Sequence, residues 1–187
     1  ETIDRHFLDS LSVARVYKFN GIQSLIDVGT GAGFPGMALK IAFPDLKVTL
    51  MDSVKKKLSF LEDVVKYLGL RDVELLHGRA EDLGRDLKYR EKFDLVTARA
   101  VSELKILLEL TFPFVRVQGR VFLWKGVDVE NEIEASKGAL KALGIDKAAV
   151  ERCNLGKNQG TIIYIVKKSK LSKDFPRSPK KILSKPL

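Results

Sequence analysis

From residue 24 onward, short apolar runs of strand length alternate with stretches of helical periodicity, and this alternation limits the folds open to the chain more than any other feature. The runs Leu25–Val28, Val48–Met51, Val73–Leu76, Phe93–Thr97 and Val121–Trp124 lack the polar alternation of a half-exposed strand, so they predict strands buried on both faces. Between them lie helical patterns over Pro35–Phe43, halted by Pro44; over Val54–Leu68, with Leu58, Leu61, Val65 and Leu68 along one face; and over Glu103–Leu110. Strand and helix in repeated succession predict a parallel sheet with right-handed crossovers. A longer helix is expected over Val129–Leu143. Two further strands, Ala148–Asn154 and Gly160–Val166, flank the turn-rich Gly156-Lys157-Asn158-Gln159 and are expected to close the sheet as an antiparallel hairpin. The expected fold is therefore α/β, a mostly parallel seven-stranded sheet with an antiparallel C-terminal hairpin.

Three segments follow from this reading. Residues 1–20 read as an amphipathic helix packed on the domain, because Ile3, Phe7, Leu8 and Leu11 recur at helical spacing; residues 21–168 hold the sheet; and residues 169–187 form a basic tail whose prolines argue against regular structure. A length of 187 residues suits one domain. No apolar run reaches the length of a membrane span, and the first residues are not those of a signal peptide. Cys153 is the only cysteine, which excludes an internal disulfide and a cysteine-rich zinc site and suits a reducing compartment such as the cytoplasm. His6 and His77 have no clear partners, so no metal site is expected.

The net charge is +9, and Lys167–Leu187 alone supplies +7 of it. A segment of that kind is either an electrostatic footprint for RNA or a solubilising appendage.

The first strand runs into Asp27-Val28-Gly29-Thr30-Gly31-Ala32-Gly33-Phe34-Pro35-Gly36. Glycines at a strand-to-helix turn admit positive φ and let a ligand lie against the main chain, at the sheet edge where α/β proteins bind nucleoside ligands. The literal G-x-G-x-x-G begins two residues late for a dinucleotide fingerprint, and Phe34 occupies the place where that fingerprint needs a small residue. A carboxylate at Asp27 is also a poor neighbour for a pyrophosphate, whereas it can orient the loop or meet the cationic end of a methionine moiety. The spacing thus favours S-adenosylmethionine over a dinucleotide. Asp52, at the end of the second strand, suits the two ribose hydroxyls of either ligand, or the N-terminus of the helix that follows.

Missing residues narrow the reaction. The turn after the fourth strand reads Thr97-Ala98-Arg99-Ala100 rather than the polar clamp an exocyclic amine requires, and Cys153 stands outside any Pro-Cys turn suited to pyrimidine carbon methylation. A ring nitrogen with a free lone pair, such as guanine N7, needs no deprotonation. No general base is then expected, and positioning carries the catalysis.

Taken together, Arg5-His6-Phe7-Leu8-Asp9-Ser10-Leu11, the Asp27–Gly36 loop, Leu50-Met51-Asp52-Ser53 with Lys56-Lys57 and Phe60-Leu61, Arg79-Ala80-Glu81, Ala98-Arg99-Ala100-Val101 and Lys125-Gly126 resemble the RsmG (GidB) family. The resemblance implies a class I Rossmann-like methyltransferase fold. It also implies transfer of a methyl group from S-adenosylmethionine to N7 of a guanosine in the 530 loop of 16S ribosomal RNA, with the RNA or the small-subunit particle as partner; independently of the resemblance, no membrane partner and a monomer are expected. By the same resemblance Gly29, Gly31, Gly33 and Phe34 wrap the donor, Asp52 takes the ribose, Ala80 and Glu81 frame the adenine, and Arg99 lies at the methionine end. Arg5, His6, Lys125, Arg177, Lys180 and Lys181 are candidate RNA contacts, with Arg5 and His6 alternatively capping the domain. Only four residues precede Arg5, so the family's N-terminal helical region is expected to be truncated here. The competing readings are an NAD-dependent oxidoreductase of Rossmann type and a non-catalytic RNA-binding module.

Overall fold

The computed structural model describes residues 3–21, 23–99, 102–155 and 158–187, with the backbone alone for 3–5, 154, 155, 158 and 159. The side chain of Arg5 falls outside the described residues, as do Gly156 and Lys157 of the expected turn, whereas Asn158 and Gln159 of that turn are strand backbone. One sheet contains β1 (Ser24–Val28), β2 (Lys47–Asp52), β3 (Val73–His77), β4 (Phe93–Arg99), β5 (Val115–Lys125), β6 (Ala149–Leu155) and β7 (Asn158–Val166). Their order is β3-β2-β1-β4-β5-β7-β6. The first five strands are parallel, and β7 runs antiparallel to both β5 and β6. The fold read from the sequence is the fold observed, and the chain reverses its direction of travel across the sheet between β1 and β4, the crevice where ligands of open α/β sheets bind.

Successive residues of the central strands feed opposite layers. Leu25 faces a core built with Leu39 of α2 (Gly36–Ala42) and Leu58 and Leu61 of α3 (Lys55–Tyr67), whereas Ile26 faces one built with Leu104, Leu107 and Leu108 of α5 (Leu104–Thr111). Leu25, Ile26, Leu39, Leu61, Leu104 and Leu107 are fully excluded from solvent. Burying each contributes about 1.5–3 kcal/mol, which explains why both faces of these strands read as apolar.

Four local expectations are corrected. The N-terminal segment is helical but not one α-helix: a π-helical turn over Ile3–Leu8 passes into α1 (Asp9–Leu11) and a 3-10 turn over Ser12–Arg15. The Ser10 hydroxyl donates to the His6 carbonyl at 2.5 Å and that of Ser12 to the Asp9 carbonyl at 2.5 Å, so side chains share the carbonyls of this segment. The long helix after β5 breaks at the buried Ser136 into α6 (Val129–Ala135) and α7 (Lys137–Ala142); the Ser136 hydroxyl donates to the Glu132 carbonyl at 2.7 Å. A short helix, α4 (Ala80–Leu83), follows β3 where none was expected.

The tail, finally, is an ordered strap. Leu171, Pro176 and Ile182 are buried, and α8 (Pro179–Ser184) packs near α5. The Arg90 guanidinium donates to the carbonyls of Gly84, Leu171, Ser172 and Phe175, and Arg177 donates from Nε and Nη2 to the Glu109 carboxylate at 2.9 and 2.7 Å. Prolines that prevent a long helix do not prevent docking.

Candidate functional site

The loop between β1 and α2 is fastened from beneath. Asp27 is completely buried. Its Oδ2 accepts hydrogen bonds from the Thr30 hydroxyl at 2.7 Å and the Gly36 amide at 3.0 Å, and its Oδ1 accepts one from the Thr97 hydroxyl at 2.8 Å. One carboxylate thereby joins both ends of the loop to β4. Burial pushes the Asp27 carboxyl above its ordinary value, against the pull of those three donors and the charge of Arg99. Of the two roles open to Asp27 from the sequence, the geometry supports orientation of the loop.

The glycines differ in what they do. A Cβ on Gly36 would stand 2.6 Å from Leu50 and 2.8 Å from the Asp27 Cβ, and one on Gly33 (φ +98°) would stand 2.9 Å from Leu61, so both are required by close packing. Gly29 and Gly31 have φ of 71° and 60°. The side-chain direction of Gly31 opens onto free space, its nearest neighbour there being the Gly29 carbonyl oxygen at 4.0 Å. That is the form of a cradle in which a ligand lies against main chain.

Asp52 ends β2, 4% exposed, and serves both the loop and the next helix: Oδ2 accepts from the Gly31 amide at 3.0 Å and from Lys57 Nζ at 3.4 Å, and Oδ1 accepts from the Val54 amide at 2.9 Å. Ala80 and Glu81 are also buried, at the start of α4 and at the same sheet edge, with Arg79 Nε 3.8 Å from Glu81 Oε2. Gly29, Gly31, Gly33, Phe34, Asp52, Ala80 and Glu81 therefore all stand at the carboxyl edge of β1, β2 and β3.

Arg99 ends β4, on the other side of the loop. It lies two residues past Thr97, which pairs with Asp27. Its guanidinium carbon stands 5.2 Å from the centre of the Phe34 ring. Nη1 reaches the His6 carbonyl at 3.3 Å, Asp9 Oδ2 at 3.4 Å and the Ser10 hydroxyl at 3.5 Å, while Nη2 is 3.1 Å from His6 Nδ1. His6 stacks on Phe34 at 5.4 Å and Phe7 meets the same ring edge-on at 4.9 Å. Trp124 Nε1 donates to the Asp9 carbonyl at 2.8 Å. Burial raises the Asp9 carboxyl although Arg99 and His6 pull it down. The sequence does not show the contacts of Asp9, Ser10, Thr97 and Trp124, because the partners they serve lie about ninety residues away or more, or, for Thr97, seventy.

Three candidate RNA contacts are placed by the structure in other company. Lys125 Nζ is 2.6 Å from Glu132 Oε1 and donates to the Ser102 carbonyl at 2.8 Å, joining β5 to α6. Arg177 is held by Glu109 inside the strap. His6 caps the loop through Phe34 and Arg99. Lys180 and Lys181 are exposed on α8. Among the described residues no three His, Cys, Asp or Glu side chains converge as metal ligands, and no helix is long and apolar enough to cross a membrane.

Comparison with known proteins extends this geometry. An S-adenosylmethionine-dependent O-methyltransferase from Thermotoga maritima superposes with a TM-score of 0.67 at 15% identity, covering 88% of this chain and 66% of the other. A SAM-dependent methyltransferase from Aquifex aeolicus gives 0.62 at 21% identity, covering 88% and 93%. Likeness at this level establishes the class I methyltransferase fold. In sequence, the "Ribosomal RNA small subunit methyltransferase G" of Thermoanaerobacter sp. (strain X514) is 57% identical over 143 residues, or 76% of this chain, which spans 60% of that relative's length. The protein of the same name from Brevibacillus brevis is 43% identical over 189 residues, covering all of this chain and 79% of the relative. The GidB family profile, described as rRNA small subunit methyltransferase G, matches residues 1–161, and the chain belongs to that family.

Proposed function

We propose that this chain transfers a methyl group from S-adenosylmethionine to N7 of a guanosine in the 530 loop of 16S ribosomal RNA, acting as a monomer in the cytoplasm on the RNA or the small-subunit particle. The observation that carries the reading is the cradle at Gly31, open on the ligand side and held from below by Asp27 and Asp52. The site fits the donor: backbone of Gly29, Gly31 and Gly33 lies along it, Phe34 closes one side, Asp52 is placed to accept from ribose hydroxyls, Ala80 and Glu81 border the adenine, and Arg99 meets the amino-acid end. When bound, the donor supplies an electrophilic methyl group on a positively charged sulfur.

The side chains of the site position the partners. Asp27 is wholly buried beneath the loop, so it fixes the loop without touching the donor, and a preformed loop lowers the entropic cost of bringing methyl and nucleophile together. N7 of guanine attacks with a lone pair it already has, so no residue is required to remove a proton beforehand. Residues 21–168 carry this machinery, with the N-terminal segment and the strap packed on it.

Nucleosides from undermethylated small-subunit RNA, incubated with the protein and isotopically labelled donor, are expected to carry the label on N7 of a single guanosine when read by mass spectrometry. Label on another atom rejects the reading, and absence of transfer with intact RNA binding favours the non-catalytic module. Calorimetry separates the oxidoreductase, since S-adenosylmethionine is expected to bind and NAD is not. Asp52→Ala is expected to weaken donor binding about tenfold or more, from the loss of charge-assisted hydrogen bonds worth about 1.5–3 kcal/mol each.

A further inference from the structure

Among the described residues, the Arg99 guanidinium is incompletely filled. The other carboxylate-bound arginine in a buried setting, Arg177, meets Glu109 through Nε and Nη2 at 2.9 and 2.7 Å, the bidentate arrangement that guanidinium and carboxylate prefer. Asp9 offers Arg99 a single oxygen at 3.4 Å. Its other oxygen is turned toward β7, where it lies 2.9 Å from the position a Cβ on Gly160 would take. The remaining partners of Arg99 Nη1, at 3.3 and 3.5 Å, are equally long. Arg99 and Asp9 are nonetheless only 15% and 20% exposed, so this weak pair is held largely out of water.

The placement of the pair gives it a purpose. Asp52 and Glu81 lie on the β2–β3 side of the loop and Arg99, the cation that ends β4, lies on the other, so a nucleoside held at the first side would direct its remaining end toward the second. We propose that Asp9 is an internal stand-in for the donor's amino-acid carboxylate: it keeps Arg99 occupied until that carboxylate arrives, and its displacement loosens the N-terminal segment from the site. This rests on the donor assignment made above. Asp9 and His6 belong to one short helical segment, and Arg99 holds both while His6 lies on Phe34. A ligand carboxylate that captures the guanidinium bidentately therefore removes the tie that keeps His6 and Phe7 over the loop, which exposes the Phe34 edge of the cleft to the nucleic acid. Donor binding would then precede RNA entry, through competition for one cation.

The test compares S-adenosylhomocysteine, which carries the amino-acid end, with 5′-methylthioadenosine, which lacks it, on the full chain. Hydrogen exchange of the backbone amides between His6 and Ser12 is expected to accelerate with the first ligand and to be unchanged with the second. In calorimetry Asp9→Asn is expected to bind S-adenosylhomocysteine about fivefold or more tighter than the wild type, and to bind methylthioadenosine equally well. The exchange measurement uses the unaltered protein and so stands even if the variant folds poorly. Slowed or unchanged exchange with S-adenosylhomocysteine, or unaltered or weaker binding by a folded Asp9→Asn, overturns the proposal while the donor assignment survives. If neither ligand binds, both fall together.

Discussion

Asp27 beneath the ligand loop and Glu109 beneath the strap are both wholly buried carboxylates, and the protein satisfies them in opposite ways. Asp27 is surrounded by neutral donors, two of them within nine residues of it in the chain. Glu109 is held by a guanidinium 68 residues away, with the Arg177 amide donating to the same carboxylate at 2.7 Å. Neutral donors fix a shape without tying it to a distant charge, which suits the loop proposed above to receive a cationic ligand. An ion pair fastens a segment that would otherwise leave. Lys167, just before the strap, shows the same principle: it is fully excluded from solvent, with Nζ 2.7 Å from Glu91 and bonds to the carbonyls of Phe112 and Val115.

The largest expected effect tests the strap. Arg177→Ala leaves Glu109 buried without its cation, and stripping one partner from such a pair costs about 3–5 kcal/mol. Guanidinium chloride unfolding is expected to show that loss, together with proteolytic release of residues 171–187. A loss under 1 kcal/mol would mean that apolar packing of Leu171 and Ile182 holds the strap and that the contrast with Asp27 is mistaken.

What the sequence displays and what it conceals divide along the same line. The strands, the crossovers and the loop are legible because their determinants are local: apolar runs, helical spacing, and Asp27 within nine residues of Gly36. The docking of the tail was not legible, because the carboxylates that receive it, Glu91 and Glu109, look in the sequence like surface charges, and eight basic residues with three prolines read as a solvated appendage. The same holds for Arg99, whose ring and carboxylate neighbours Phe34 and Asp9 come from two other parts of the chain. Candidate site residues at the sheet edge could be named from motif and resemblance; the reason each is held there needed the fold.

A smaller effect sharpens the comparison at Asp27. Asn keeps one carbonyl oxygen for Thr30 and Gly36 and can donate to the Thr97 hydroxyl, so Asp27→Asn is expected to cost only about 1 kcal/mol. The two sites also differ in sign with pH. The Asp27 carboxyl is raised by burial, so the native state keeps its proton longer: the advantage it gives is complete below the ordinary value of 3.8 and is lost as pH rises through the raised folded value. For Glu91, burial pushes upward but the hydrogen bonds from Lys167 and the Leu171 amide and the charges of Lys167 and Arg90 outweigh it, so its carboxyl lies below the ordinary 4.5. Its contribution is complete above 4.5 and is lost as pH falls through the depressed value. Urea unfolding across the acid range is expected to show wild type losing ground to Asp27→Asn as pH rises, and losing ground to Glu91→Gln as pH falls.

The smallest effect on stability concerns the basic residues of the strap that the fold does not consume. Lys167 is buried in an ion pair, the half-buried Arg177 is held by the buried Glu109, and Lys168 pairs with Asp146 at the surface at 3.0 Å. Lys170, Lys173, Lys180, Lys181 and Lys185 are exposed. Truncation after Val166 would remove both kinds together with the packing of Leu171 and Ile182, so loss of RNA binding in such a variant would report folding as much as charge. The double substitution Lys180→Ala/Lys181→Ala separates the two, because neither side chain is buried and the change on unfolding should stay within about 0.5 kcal/mol. If both ammonium groups neutralise phosphates, the log–log slope of RNA affinity against salt should fall by roughly 1.4, at about 0.7 per contact on a single strand. An unchanged slope in a fully folded protein would assign the exposed lysines of α8 to solubility, and would leave the fastening of Glu91 and Glu109 as the main work of the strap's positive charge.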